Sequence, residues 1–226
     1  IQIADDNFTF NKEHAIKICN EIINRKLKIA WSLPNGVRAD KLDEELLRTM
    51  KVAGCYYLAF GIEFGSKRML EITKKSLNLD NARFNIRLAS RLGFITQAFF
   101  LMGHPEEKKE DVLETEKFAL SVPLDKVVVN IPFPYPGTKL FSHYIKNRYQ
   151  KIELIDWQQF KESGYNYIFE HLTLKYVLQH RKKLNLKFYL NPFRMTRFLL
   201  KFKTFIQFKS AFYGMLVLVQ YFRGKR

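Results

Sequence analysis

Up to about residue 131, apolar positions along the chain alternate between two rhythms. Compact apolar runs predict short strands at 1–4, 28–33, 55–62, 95–102 and 126–131. Between them, apolar residues recur at every third or fourth position, the spacing of one helix face. That spacing predicts helices over 11–26, with Ala15, Ile16, Ile18, Ile22 and Ile23 as the apolar set, and over 43–53, 66–72, 80–92 and 107–121. The helix at 43–53 opens with Asp43, Glu44 and Glu45, which suit the positive end of a helix dipole. Gly93 follows 80–92, where a left-handed stop residue is expected.

Strands separated by helices in this way predict βαβ units and a mainly parallel sheet. Such a sheet is either part of a barrel or doubly wound, and in both the ligand sits where the C-terminal strand ends run into loops. Those ends carry Asp5-Asp6-Asn7, Asn35-Gly36-Val37-Arg38-Ala39-Asp40, Gly61-Ile62-Glu63-Phe64-Gly65-Ser66, Gly103-His104-Pro105-Glu106-Glu107 and Pro132-Phe133-Pro134-Tyr135-Pro136-Gly137. Any one of these is an ordinary capped loop. All of them in phase with the strand pattern point to a shared site for a polar, zwitterionic ligand.

Composition narrows the picture. A hydrophobic fraction of 47% with 27% charged residues excludes a wholly disordered chain. The net charge of +16 points to phosphate-bearing or membrane-surface partners. It is unevenly spread: residues 1–150 hold 23 basic and 18 acidic side chains, residues 151–226 hold 15 and 4, and no acid follows Glu170. This shift marks a boundary near 145–170, between a mixed-charge body (1–145) and a basic extension (146–226). Two cysteines, Cys19 and Cys55, are too few for a disulfide scaffold or a four-cysteine metal site. His14, His143, His171 and His180 show no metal-ligand spacing. An opening strand without an initiator Met leads us to expect that upstream sequence is missing.

In their order and spacing, IADDNFT (3–9), NGVRAD (35–40), GIE-x-GS (61–66), LMGHPEE (101–107) with Asp111, PYPGTKL (134–140) and KFYLNPFRMTRFL (187–199) resemble the radical SAM superfamily, in particular its cobalamin-associated class. The resemblance implies an α/β fold: a partial (β/α)6 TIM-like barrel missing its first strand, followed by a mostly helical basic extension. It implies reductive cleavage of S-adenosylmethionine on a 4Fe–4S cluster, giving a 5′-deoxyadenosyl radical. Cobalamin would be held through an upstream domain, and ferredoxin or flavodoxin would donate electrons to a reaction on a small molecule in the cytoplasm; the apolar, basic extension is compatible with a lipid-like one. The cluster's Cys-x3-Cys-x2-Cys loop is absent from this chain. Carried over position by position, Asp5 and Asp6 would contact the amino group of S-adenosylmethionine, and Arg38, Glu63 and Lys74 its ribose and carboxylate. Gly103 would flank the adenine, and Tyr135 would close the barrel near it. Phe64 stands where the family has serine, and Glu106 where it has glycine.

The alternatives are a catalytically dead barrel remnant acting as a membrane-peripheral or protein-binding module, and a barrel enzyme using Glu63 and His104 as acid and base. Read blandly, Arg38 and Asp40 are a local ion pair, and Lys74 and Lys75 a solvated face. In the extension, 195–208 has amphipathic helical spacing, and the apolar run 211–222 is too short to span a bilayer. Helices packed on the barrel with lysines facing water are expected for its first half, and a peripheral membrane contact for 195–226. Nucleic-acid binding ranks last, since no recognition module is present.

Overall fold

The structure, a computed structural model, describes residues 1–5, 7–148, 157 and 169–201. The body alternates as the spacing predicts: α1 (Lys12–Asn24), β1 (Trp31–Val37), α2 (Glu44–Val52), β2 (Cys55–Glu63), α3 (Lys67–Ile72), α4 (Leu79–Arg91), β3 (Ile95–Leu101), α5 (Lys109–Ser121) and β4 (Lys126–Asn130), and a helix that the spacing did not predict, α6 (Lys139–Arg148), comes next. Two further helices follow, α7 (Leu174–Tyr189) and α8 (Pro192–Leu199). Side-chain oxygens of Asn11, Asp43, Ser66, Asn78, Thr173 and Asn191 accept the first free N–H groups of α1, α2, α3, α4, α7 and α8.

The strands pair in parallel in the order β1-β2-β3-β4. A doubly wound sheet reverses its order at a switch point, so this strictly sequential order selects the barrel wall. The expected strand at 1–4 contracts to a parallel bridge between Gln2 and Ser32, with Ile3 N–H donating to Ser32 at 3.0 Å and Ser32 N–H to Ile1 at 3.1 Å. Strand β1 starts and ends later than its apolar run. It continues through Pro34-Asn35-Gly36 to pair Val37 with Phe60, and an irregularity between Leu33 and Val37 absorbs the proline, which has no N–H to donate.

One sheet face is packed under helices. Leu58, Phe60, Ile62, Ala98 and Phe100 are fully buried there, and Phe100 meets Phe118 of α5 edge-on at 6.3 Å. On the opposite, concave face, Tyr57, Gln97, Phe99 and Lys126 are only half-buried, and the Lys126 ammonium lies over the Tyr57 ring at 5.5 Å.

The start of the extension is bound to the body. Val177, Leu184 and Phe188 of α7 join the same hydrophobic cluster as the strands. The Tyr189 hydroxyl accepts from Val127 N–H at 3.1 Å and donates to its carbonyl at 2.9 Å, satisfying β4 on its outer edge. Helix α8 runs beneath the N-terminal strand ends. There Arg194 donates to the carbonyls of Leu120 and Val122, and Lys201 to that of Phe94. Asp125 is buried and receives Thr96 N–H at 2.8 Å, Lys201 Nζ at 2.5 Å and Arg197 Nε at 3.4 Å. Lys182, Lys183 and Lys187 face solvent. The second half of the helix expected over 195–208, and all of 211–222, lie outside the described residues. No helix among the described residues is long and apolar enough to cross a membrane.

Removing one partner of a buried pair strands the other charge, at a cost of about 3–5 kcal/mol. Asp125→Ala is therefore expected to lower stability to urea by that much, because Lys201 and Arg197 lose their only charged partner among the described residues and the Thr96 N–H loses its acceptor. An unchanged midpoint contradicts the docking of α8 described here.

Candidate functional site

Because every strand runs the same way, the loops after them emerge at one end of the sheet. Side chains tie neighbouring loops together there. Arg38, directly after β1, forks onto Asp40 at 3.2 and 2.9 Å and also donates to the Ser76 carbonyl. Asp40 in turn accepts from Asn78 N–H at 3.3 Å. The ion pair expected of Arg38 and Asp40 therefore forms, and it also fastens the loop before α4 across the end of β1.

Glu63 ends β2 with φ at +66°, a left-handed conformation that costs a side-chain-bearing residue about 1–3 kcal/mol. Its carboxylate accepts from Lys75 Nζ at 2.8 Å. Lys74, which the resemblance puts in contact with the ligand, sits in the turn after α3 at φ +54°, exposed. Lys75, read from the sequence as part of a solvated face, is the lysine that meets Glu63. Both lysines line a cavity of about 690 Å³ together with Lys67, Glu71 and Asn78.

The loops after β2 and β3 are joined by a buried cluster. Asp111 accepts from Ser66 Oγ at 2.5 Å, from Lys108 N–H at 2.9 Å and from the Arg68 guanidinium, which also donates to the Glu106 carbonyl at 2.6 Å. Burial works against the Asp111 carboxylate, but Arg68, Ser66 and the Lys108 N–H outweigh it and hold its pKa below the usual value. Gly65 is required beside this cluster, since a Cβ there would lie 2.7 Å from the Thr115 backbone.

Gly103 has φ +97°, and a Cβ there would come within 2.9 Å of the Phe169 ring. Its N–H donates to Glu107 Oε2, as does the His104 N–H at 3.3 Å. Glu107 is fully buried and its Oε1 has no hydrogen-bond partner among the described residues. Burial therefore pushes its pKa up to about 7 against the pull of the two N–H groups. Burial likewise lowers the pKa of His104. Phe64 is buried and meets His104 edge-on at 6.3 Å, so the aromatic ring holds two loops together where a serine hydroxyl would reach out. The Glu106 side chain is exposed.

Tyr135, in the loop after β4, is 56% exposed and rests edge-on against Phe133 at 5.0 Å. Asp5 is also exposed, and its carboxylate accepts the Asn7 N–H at 2.7 Å. Asp6 lies outside the described residues. The rim thus brings Arg38, Glu63 and Gly103 into a cross-tied set, Lys75 joins it through Glu63 while Lys74 lines the same cavity, and Glu107 is an addition. Its signal was present in the sequence as an acid that closes a Gly-x-x-x-Glu turn ahead of a helix.

Among known proteins, the profile of the Radical SAM superfamily matches residues 1–119. A methyltransferase of Pyrococcus horikoshii whose function is uncharacterized is 30% identical over 96% of this chain and 46% of its own length. The anaerobic magnesium-protoporphyrin IX monomethyl ester cyclase of Cereibacter sphaeroides is 29% identical over 74% of this chain and 26% of its own. The chain thus spans about half the length of one relative and about a quarter of the other. Among solved structures, a radical S-adenosylmethionine methyltransferase from Kitasatospora setae, with cobalamin and a 4Fe–4S cluster bound, superposes on 57% of this chain and 27% of its own, with a TM-score of 0.53 and 18% identity. Coproporphyrinogen III oxidase from Escherichia coli covers 80% of this chain and 37% of its own, with a TM-score of 0.53 and 14% identity. At these identities the likeness speaks for the barrel fold.

A carboxyl whose pKa is raised from 4.5 to about 7 on folding binds a proton that the unfolded chain releases. Glu107 therefore supports the fold fully below about pH 4.5, and this support is lost as pH rises toward 7, about 3 kcal/mol in all. Urea unfolding at pH 5 and pH 7.5 is expected to show a smaller loss of stability in Glu107→Gln than in the parent chain. Equal losses contradict the shift.

Proposed function

Because the chain belongs to the radical SAM superfamily, we propose that its loop rim seats S-adenosylmethionine and that its concave sheet face shapes the cavity for the molecule to be modified. The observation that carries the reading is the parallel, chain-ordered sheet, which delivers the loops of Asp5, Arg38, Glu63 and Gly103 to one end. Bound S-adenosylmethionine supplies the carbon–sulfur bond whose reductive cleavage drives the superfamily's chemistry. The residues present suit that ligand. Glu63 and Asp5 offer acceptors to its ammonium and ribose hydroxyls, Lys75 and Arg38 offer donors to its carboxylate, and the loop of Gly103 flanks the adenine. Lys75 takes the role expected of Lys74, and the exposed Tyr135 is the outer wall. The reaction class we assign is methyl transfer, supported by the methyltransferase relative from Pyrococcus horikoshii. Cobalamin and a small electron-transfer protein would take part in it, and neither is assigned a residue of this chain.

The 4Fe–4S cluster does not fit the residues of this chain. Such clusters are held by cysteine thiolates, three of them in the Cys-x3-Cys-x2-Cys loop that the resemblance implies, whereas the sequence holds two cysteines. Both are buried, which pushes their thiols up to about 11 for Cys19 and about 12 for Cys55. They pack as small apolar side chains. Anaerobic addition of iron and sulfide to this chain is therefore expected to leave no cluster absorbance band, and a stable band sinks the statement.

The ligand reading is tested by calorimetry. One molecule of S-adenosylmethionine is expected to bind per chain, and Glu63→Gln is expected to weaken binding by about tenfold or more, the worth of one charged hydrogen bond. Equal affinity in the two proteins overturns the role of Glu63.

A further inference from the structure

At the opposite end of the sheet from the rim, α4 and the α7–α8 turn flank an open groove of about 620 Å³. Arg87, Arg91, Arg194 and Arg197 line it, with Ser90 and Phe193. Arg194 and Arg197 are held in place by the carbonyls of Leu120, Val122 and Leu124. Arg87 and Arg91 lie on the outer face of α4 and are exposed, with no hydrogen bond or ion pair among the described residues. Among the described residues no acid lines the groove. The nearby Asp125 is buried and already engaged by Lys201 and Arg197.

Large apolar side chains surround this positive surface. Phe193 is 85% exposed, Leu200 80%, Leu190 74% and Phe84, one turn before Arg87 on α4, 63%. Exposing them singly to water is ordinary, but they stand together on the elements that carry the arginines. On the outside of α7, Lys182, Lys183 and Lys187 add charge of the same sign. The sequence continues in kind: after Glu170 it holds 13 Lys or Arg and no acid.

From this juxtaposition we propose that the α4/α7–α8 face is a docking surface for an anionic membrane. Arg87 and Arg91 take lipid phosphates in the groove, and Leu190, Phe193 and Leu200 enter the headgroup boundary. Neither feature is sufficient alone, since exposed arginines would hold any polyanion and exposed leucines any apolar partner. Their combination fits an interface that is charged outside and apolar just beneath. A nucleic acid would make use of stacked rings, and two of these three apolar residues are leucines, which offer no stacking surface. Docked this way, the chain keeps its ligand rim turned away from the bilayer, open to the aqueous side.

The test is flotation of the full chain with vesicles of phosphatidylcholine alone or of phosphatidylcholine and phosphatidylserine at about three to one, at low and at high salt. Binding is expected with the anionic vesicles only and is expected to weaken with salt. Each basic residue near such a surface is worth about fivefold in binding, so Arg87→Gln combined with Arg91→Gln is expected to weaken it by about 30-fold. Phe193→Ser, a change at an exposed position, is expected to weaken it independently. The proposal is overturned if vesicles of both kinds bind alike or neither binds. It is equally overturned if the variants float like the parent, which would move the contact to residues 202–226 or elsewhere, or if polyuridylate RNA binds in an Arg87- and Arg91-dependent way while vesicles do not.

Discussion

Parallel pairing in chain order is the constraint on which the other features rest. Each strand finds its hydrogen-bond partner in the strand that precedes it, so each connection must cross over through a helix, and every C-terminal strand end faces the same way. Two consequences follow from that one arrangement. The loop residues between positions 5 and 135 meet at one end, and the helix C-termini, with their unsatisfied carbonyls, collect at the other. The first end is where acids and bases of both signs are held. The second is where Arg194, Arg197 and Lys201 close onto backbone oxygens and Asp125.

The rim is built before any ligand arrives. The Arg38–Asp40 pair through Ser76 and Asn78, Glu63 with Lys75, and Arg68 with Asp111 tie the strand ends to the loops and helices beside them. Two of its features cost stability: the left-handed backbone at Glu63 and the buried carboxyl of Glu107 with an unpartnered oxygen. Conformations of that kind persist only where the surroundings over-determine them. Here the surroundings are the ion pairs themselves, and the Phe64 ring against His104.

Much of this was legible in the sequence, because period-based reasoning reads what the backbone demands. The helices and strands of the body fell within a few residues of their expected ends, and the capping asparagines and aspartate sit where the polar-to-apolar transitions occur. The exceptions have physical causes. The first strand has a partner on one side only and shrinks to a bridge, and β1 runs through a proline that the pattern treats as a stop. Side-chain pairing was less legible. Lys74 and Lys75 are adjacent and chemically identical, and only the end of α3 at Ile72 decides which of them turns toward Glu63. The cluster of Ser66, Arg68 and Asp111 joins positions 45 apart and has no local signature. The basic extension likewise hid a division of labour. Some of its cations serve the fold, and its exposed apolar residues at 190–200 stand over arginines from α4, which lies in the body.

The central claim, that the strand ends of this barrel wall form one binding mouth for S-adenosylmethionine, is tested most directly by mapping amide chemical shifts of the isotopically labelled chain during titration with that compound. Saturable shifts confined to the loops at 5–9, 36–40, 61–66 and 102–107 are the predicted result. Shifts confined to α4 and α8 at the other end of the sheet, or none at saturating ligand, would contradict it.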